Sequence, residues 1–457
     1  MVFSSAEFLF LFLPCTLLIY YNPVFRGRKF RNVFLLLVSL FFYAWGEQVY
    51  VLLLLASIAV NWWLGRRVEP GKSRRRFFLW TAVVVNLLGL FVFKYLGFVC
   101  RNLAALGLPV PEVELALPIG ISFYTFQAMS YVVDVYRGRS PAQRSVLDVG
   151  LYVAFFPQLI AGPIVRYETI AAEIHGRQES WDDFCAGVPR FIQGLGKKVI
   201  LANNMAIIAD ASFDYLTALS VPMAWLGAVA YALQIYFDFS GYSDMAIGLG
   251  RMFGFHFLEN FDRPYLAVSV TDFWRRWHIS LSTWFRDYVY IPLGGNRVGP
   301  RRHLLNLLAV WLLTGIWHGA DWAFIFWGLG YFLLLMAEKY GHIDRKLGFL
   351  RRPWTLFWVL MLWVLFRAED LGKAGQYFAA MFTGGRGDWR DFTYYFSNMK
   401  VYLVAAVVCC LPLEGLWKKL PEAWRDRAAS AGTVALMLIL VTYVVGSTYN
   451  PFIYFNF

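Results

Sequence analysis

The sequence predicts an all-α, polytopic integral membrane protein. Of its 457 residues, 59% are hydrophobic and only 16% are charged, where a soluble chain of this size carries roughly 25% charged residues. The mean hydropathy is +0.50. The apolar stretches are continuous runs, unlike the roughly 10-residue alternations of a transmembrane β-barrel. The length accommodates about 11 spans of about 20 residues with short connections, leaving some segments re-entrant or lying flat. Aromatic residues make up 19% of the chain, and 19 of them are Trp, which suits interfacial belts and crowded intramembrane cores. The net charge of +12 follows the positive-inside pattern, so its placement speaks for topology and not for nucleic acid.

The elements follow in order. Residues 8–21 are the first apolar segment, and Arg26, Arg28, Lys29 and Arg31 come after it. No charged n-region or small-residue cleavage site precedes it, so it reads as a retained span and not as a signal peptide. With that basic loop cytoplasmic, the N-terminus is outside. Residues 33–45 return outward to a turn at Gly46-Glu47-Gln48, and 49–64 come back in to a loop with Arg66, Arg67, Lys72, Arg74, Arg75 and Arg76. Residues 77–99 go out to a loop bearing only Arg101, Glu112 and Glu114, and 117–135 come in to Arg137, Arg139 and Arg144. The basic loops fall on one side and the charge-poor loops on the other.

Residues 151–164 are short for a span and contain Pro157 and the Gly162-Pro163 pair. That pattern suits a re-entrant segment, tolerated only where protein or water covers the backbone. Residues 168–183 carry Glu168, Glu173, Glu179, Asp182 and Asp183 and read as a solvated or interfacial helix. Residues 224–239 are apolar and then run into polar residues. Later spans are predicted near 304–317, 322–336, 354–366, 401–413 and 434–445. No inverted repeat of the secondary-transporter kind is visible. Cys15, Cys100, Cys185, Cys409 and Cys410 form no CxxC pair, and most lie in apolar runs. They are predicted to be buried, inert thiols, with no zinc site and no disulfide framework.

The segment 311–322, WLLTGIWHGADW, holds one histidine, His318, in an apolar run. An ionisable group inside a membrane-type helix is costly and is a functional candidate by default. Gly315 and Gly319 are four apart, a small-xxx-small spacing that admits a closely packed helix. Four further polar clusters break the background. The first includes Tyr124, Gln127, Tyr131 and Asp134. The second holds Gln158 and Arg166. The third, YFDFSGYSD, contains Asp238, Ser240, Tyr242 and Asp244. The fourth, DFWRRWH, carries Asp272, Arg275, Arg276, Trp277 and His278.

With Thr271 as N-cap, the fourth cluster reads as one amphipathic helix through Tyr288 near the cytoplasmic surface. His278 falls on its aromatic face and the arginines on the other, where they suit lipid phosphates. Asp238 and Asp244 read equally as an interhelical hydrogen-bond network, and their spacing of six does not put them on one face. No G-x-S-x-G elbow, Walker loop or HExxH is present, which leaves hydrolase, ATPase and zinc-protease readings without support.

A neutral imidazole can take a proton from a hydroxyl as it attacks an acyl carbonyl, or protonate a leaving group. Acyl transfer also needs water excluded, or the donor hydrolyses. Cytoplasmic basic residues suit the phosphates of a CoA thioester. Periodicity and charge allow this chemistry without demanding it.

Longer strings then carry a resemblance. They are LPIGISFYTFQ at 117–127, AGPIVRY at 161–167, YFDFSGYSDMAIGLG at 236–250, FWRRWHISLSTWFRDYVYIPLGGNR at 273–297 and WHGADW at 317–322. The chain resembles the membrane-bound O-acyltransferase superfamily over nearly its whole length, in the branch of alginate O-acetylation membrane subunits. The resemblance implies one membrane domain over 1–457, with N-terminal helices at 1–116, a catalytic core at 117–340 and C-terminal helices at 341–457 around a central tunnel.

It implies His318 as the catalytic histidine and His278 as the second histidine of the bacterial branch. It further implies acetyl-CoA as a cytoplasmic donor substrate, with no bound cofactor and no metal. The acetyl group would cross a bacterial cytoplasmic membrane to an SGNH-hydrolase-like partner that places it on polysaccharide. Tyr331 departs from the branch, which carries a histidine there; this points to another surface polysaccharide or to peptidoglycan. D-alanyl transfer to teichoic acid is the alternative on the same fold, and a polysaccharide or lipid-carrier transporter without chemistry is the alternative outside it.

Overall fold

The computed structural model describes residues 1–446 apart from positions 25, 217–218, 385–386, 414, 416–417 and 420. Every regular element among the described residues is helical. Among the described residues four helices are long and apolar enough to cross a membrane, Arg75–Ala105, Trp322–Gly341, Gly348–Arg367 and Trp424–Gly446, and Phe8–Tyr20 is a shorter apolar helix. The chain divides into two compact units: Met1–Phe191 with Ser243–Leu258, and Ile192–Tyr242 with Glu259–Phe457.

In the first unit a π-helical turn, Phe8–Phe12, leads into α1 (Leu13–Tyr20). Then come α2 (Arg28–Gly46), α3 (Val51–Arg67) and α4 (Arg75–Leu90), which continues through another π-helical turn into α5 (Leu96–Ala105). After them lie α6 (Ile121–Tyr136), α7 (Val146–Ala154), α8 (Phe156–Leu159), α9 (Tyr167–Gly176) and the start of α10 (Trp181–Gly196). The rings of Phe3, Phe8, Phe12, Phe42 and Phe156 interlock as its core, with centroids 4.9–6.3 Å apart. Gly65 of α3 meets the ring of Tyr131 of α6 where any Cβ would collide, so the glycine sets that crossing. Arg177 ties the unit together from within. It donates to Asn32 Oδ1 at 2.7 Å and to the Phe253 carbonyl at 3.1 Å.

In the second unit a π-helical segment, Lys197–Ala202, precedes α11 (Asn203–Asp214) and α12 (Val221–Met252), whose part from Ser243 on belongs to the first unit. Two short helices, α13 (Val270–Arg276) and α14 (Ile279–Phe285), are followed by α15 (Pro300–His318), α16 (Trp322–Gly341) and α17 (Ile343–Lys346). The unit is completed by α18 (Arg351–Arg367), α19 (Leu371–Phe382), α20 (Trp389–Cys409) and α21 (Glu422–Gly446). Its core collects Phe273, Trp274, Trp277, Trp327, Tyr331 and Trp363.

Several expectations are corrected. Residues 168–183 are not one solvated helix: α9 buries Tyr167, Ile170 and Ile174 and stops at Gly176, where the buried Arg177 turns the chain. The helix that holds 224–239 extends to Val221–Met252, and the polar residues beyond 239 stay within it, Asp238 and Asp244 being buried and paired with Lys198 and Arg190. Residues 151–164 comprise the end of α7, the one-turn α8 after a break at Phe155, and a non-helical stretch from 160 on, all of it buried as a re-entrant segment requires. Cys100 and Cys410 are buried, but Cys15, Cys185 and Cys409 are exposed.

Candidate active site

His318 is the last residue of α15, and it is 3% exposed. A helix ends there because Gly319 is extended, and Asp321 restarts the chain by accepting from the Ala323 N–H at 2.8 Å. α16 then doubles back on α15. The crossing is made by glycines. Phe324 presses on both Gly315 and Gly319, and Gly328 sits against the Trp311 carbonyl, with no room for a Cβ at any of the three. The expected small-residue contact is therefore real, and its partner is the next helix in sequence. The His318 ring is held edge-on by Trp317, Trp327 and Phe366 at 5.0–5.1 Å.

His278 is fully buried. The single amphipathic helix expected from Thr271 to Tyr288 does not form. Ser269, not Thr271, caps α13 by accepting from Asp272 N; Trp277 is extended, and His278 takes a left-handed conformation at φ 45° before α14 begins. Histidine is among the few side chains that accept this region with some frequency. The segment is also no surface anchor, since Phe273, Trp274, Trp277, Leu281 and Trp284 are all buried. Arg275 is exposed, and Arg276 pairs with Asp272 at 2.9 Å. Trp277 packs against Trp363 and Phe261 at 4.8 and 5.0 Å.

Asn260 orients His278. Its Oδ1 lies 3.3 Å from His278 Nδ1 and accepts from the Ser280 N–H and Oγ–H at 3.0 and 2.8 Å. An amide oxygen needs a donor, so the tautomer that satisfies this network carries the proton on Nδ1. Nε2 is then a lone pair, buried and with no hydrogen-bond partner. The Trp317 ring lies 6.1 Å from the His278 ring. The two histidines thus share a tryptophan neighbour. Near them, among the described residues, the indole N–H groups of Trp274 and Trp327 and the Tyr331 hydroxyl are buried without partners. Buried donors without partners are rare in native proteins, and these point at where a polar ligand group would sit.

α12 passes the same place. Phe239 touches the His278 ring at 4.6 Å. Asp238 pairs with Lys198 at 2.6 Å, both side chains nearly fully buried. Gly241 packs on the Gly194 carbonyl where a side chain would not fit. Ser240 is buried with its hydroxyl unpartnered, and Tyr242 is buried. A buried ion pair like this is costly to break from either side, so Lys198 locks α12 in register.

The remaining candidates belong to the first unit. Asp244 pairs there with Arg190 at 2.6 Å. Arg166 pairs with Glu168 at 3.1 Å and precedes α9. Tyr124 and Gln127 lie inside α6, and among the described residues neither the Tyr124 hydroxyl nor either Gln127 amide atom has a partner. Sequence reasoning missed Lys198, Arg190, Asn260 and Glu338. Glu338, on α16, accepts from Val270 N and from the Thr271 N–H and hydroxyl, and so fixes the start of α13. The one available signal was charge inside apolar runs, as in Gly196-Lys197-Lys198-Val199. Among the described residues no group of three His, Cys, Asp or Glu side chains is arranged for a metal.

Comparison with known proteins gives the family. Residues 35–368 match the model of the membrane-bound O-acyltransferase family. The chain is 41% identical to a probable alginate O-acetylase of Pseudomonas putida over the full length of both. It is 46% identical to one of Pseudomonas syringae, covering 85% of this chain and 76% of that protein. It is 37% identical to the peptidoglycan O-acetyltransferase of Helicobacter pylori, covering 82% of this chain and 78% of that protein.

Proposed function

The chain belongs to the membrane-bound O-acyltransferase family, and from that premise we propose that it O-acetylates a polysaccharide at the cell surface. The observation that carries the reading is His318, an ionisable side chain 3% exposed, at a glycine-made helix crossing with the second histidine one tryptophan away. The Pseudomonas relatives are named for alginate and the Helicobacter relative for peptidoglycan; in each name an acetyl group goes to a carbohydrate polymer.

The donor is acetyl-CoA from the cytoplasm. A hydroxyl oxygen attacks the thioester carbonyl carbon, and its proton passes to the His318 imidazole. The carbon–sulfur bond then breaks, and the same proton leaves on the thiolate sulfur. The aromatic wall of Trp317, Trp327 and Phe366 keeps water from the thioester. Arg275 and Arg276 suit the donor phosphates. The protein lies in a bacterial cytoplasmic membrane with its N-terminus outside, in about 11 spans around a central tunnel. An SGNH-hydrolase-like partner on the outer face completes transfer to the polymer. Tyr331, where the alginate branch carries histidine, favours an acceptor other than alginate.

Cells with the native gene, a deletion and His318→Ala test this. Mild alkali releases ester-bound acids from purified envelope polysaccharides. Acetate should fall equally in the deletion and the variant, at unchanged membrane levels of the protein. Loss of D-alanine instead would assign the chain to teichoic-acid D-alanylation.

A further inference from the structure

The unit of Met1–Phe191 with Ser243–Leu258 contains a cavity of about 280 Å³ lined by none of the residues assigned to acyl transfer. Arg66 and Arg67, from the last turn of α3, line it together with Lys72 and Arg144. Its one carboxylate is Glu69, and Trp63 and Ala142 supply the apolar wall. Among the described residues none of the four cations pairs with a carboxylate. They are nevertheless held in place. The Arg66 guanidinium lies 5.2 Å from the Trp62 ring, and that of Arg67 lies 5.0 Å from Trp63 and 5.7 Å from Phe78. Trp62 Nε1 donates to the Arg144 carbonyl at 3.3 Å, and Gln143 N donates to the Tyr131 hydroxyl at 3.1 Å, which fastens the strap carrying Arg144.

Four cations set against one carboxylate, in a space the size of one headgroup, call for a phosphate ester. The surroundings decide its source. Trp63 is 44% exposed, and Phe77 and Trp80, at the start of an apolar span, are 64% and 58% exposed. A phosphate held by the arginines therefore has apolar surface beside it for acyl chains. We propose that this cavity binds the headgroup of an anionic phospholipid, its phosphodiester on Arg66, Arg67 and Arg144 and its chains along Trp63 and Phe77. Basic pockets beside membrane spans bind such lipids by this chemistry.

The test uses the full chain, delipidated in an uncharged detergent, with thermal melting as the readout. Phosphatidylglycerol should raise the melting temperature at far lower concentration than phosphatidylcholine, and pyrophosphate should leave it unchanged. The variant R66Q/R67Q/R144Q should need about 100-fold more phosphatidylglycerol for the same shift, at roughly fivefold per charge. K72Q, in an exposed loop, should need about fivefold more and keeps the test decisive if the triple variant misfolds. Equal shifts with the two lipids, or a phosphatidylglycerol response unchanged in both variants, would overturn the proposal. A pyrophosphate response with no preference between the lipids would also overturn it and give the cavity to a soluble phosphate.

Discussion

Trp317 stands between two buried histidines, its ring 5.0 Å from His318 and 6.1 Å from His278. Their settings differ. His278 has an amide oxygen to fix its tautomer, whereas His318 lies among three aromatic rings at a helix end. Asn260→Ala removes the acceptor at His278 Nδ1 and leaves the ring free to choose its tautomer. We expect acetyl transfer to fall by roughly 100-fold, the scale of one misplaced acid–base group. Protein should still reach the membrane, with a melting temperature somewhat below the parent because the part-buried Ser280 donors lose their acceptor, so activity is compared per folded protein. Radiolabelled acetate incorporation in membranes, with melting as the control, checks this; full activity in Asn260→Ala would make the Asn260 contact incidental. Glu179, in the other unit, is the second residue with a clear prediction. Burial raises its carboxyl, but the hydrogen bonds from Arg28 and Tyr20 outweigh that and hold it at about 2. A depressed carboxylate stabilises fully above its unfolded value and loses that contribution as pH falls toward the folded one. The parent protein should therefore lose thermal stability between about pH 4.5 and 2. Glu179→Gln should be less stable than the parent at neutral pH, and the gap should close as pH falls through that window. A constant gap would show that Glu179 is not ionised in the fold.

The elements show what the sequence made legible and what it did not. Apolar runs located nearly every long helix, and the glycine spacing at Gly315 and Gly319 announced a close crossing. The partner helix was not legible, because Phe324 and Gly328 reach α15 only when α16 folds back. Gly315→Ala should cost roughly 1–3 kcal/mol by overpacking and displace His318, so melting temperature and activity should fall together; an active variant of parental stability would contradict the crossing as the site's support. The break at Trp277–His278 was hidden for another reason. The aromatic periodicity continues through it, and the interruption is held by Asn260, 18 positions away in sequence. The interhelical network expected at Asp238 and Asp244 is there, but pattern could not name its partners. Their partners, Lys198 and Arg190, lie on other helices, so α12 runs on unbroken.

For the whole molecule, composition alone placed the chain among helical membrane proteins, and the order of basic and neutral loops gives an orientation. That orientation is testable by cysteine labelling. A single cysteine introduced at Lys72, in a background lacking the exposed Cys15, Cys185 and Cys409, should resist a membrane-impermeant thiol reagent in intact cells and react after permeabilisation; labelling in intact cells would invert the topology. Ester-bound acetate released from the envelope of His318→Ala cells measures whether His318 serves acetyl transfer to a surface polysaccharide. Acetate at the level of the deletion strain, with the variant present in the membrane and melting like the parent, is the predicted result. Parental acetate in that strain would leave His318 structural and would contradict the account.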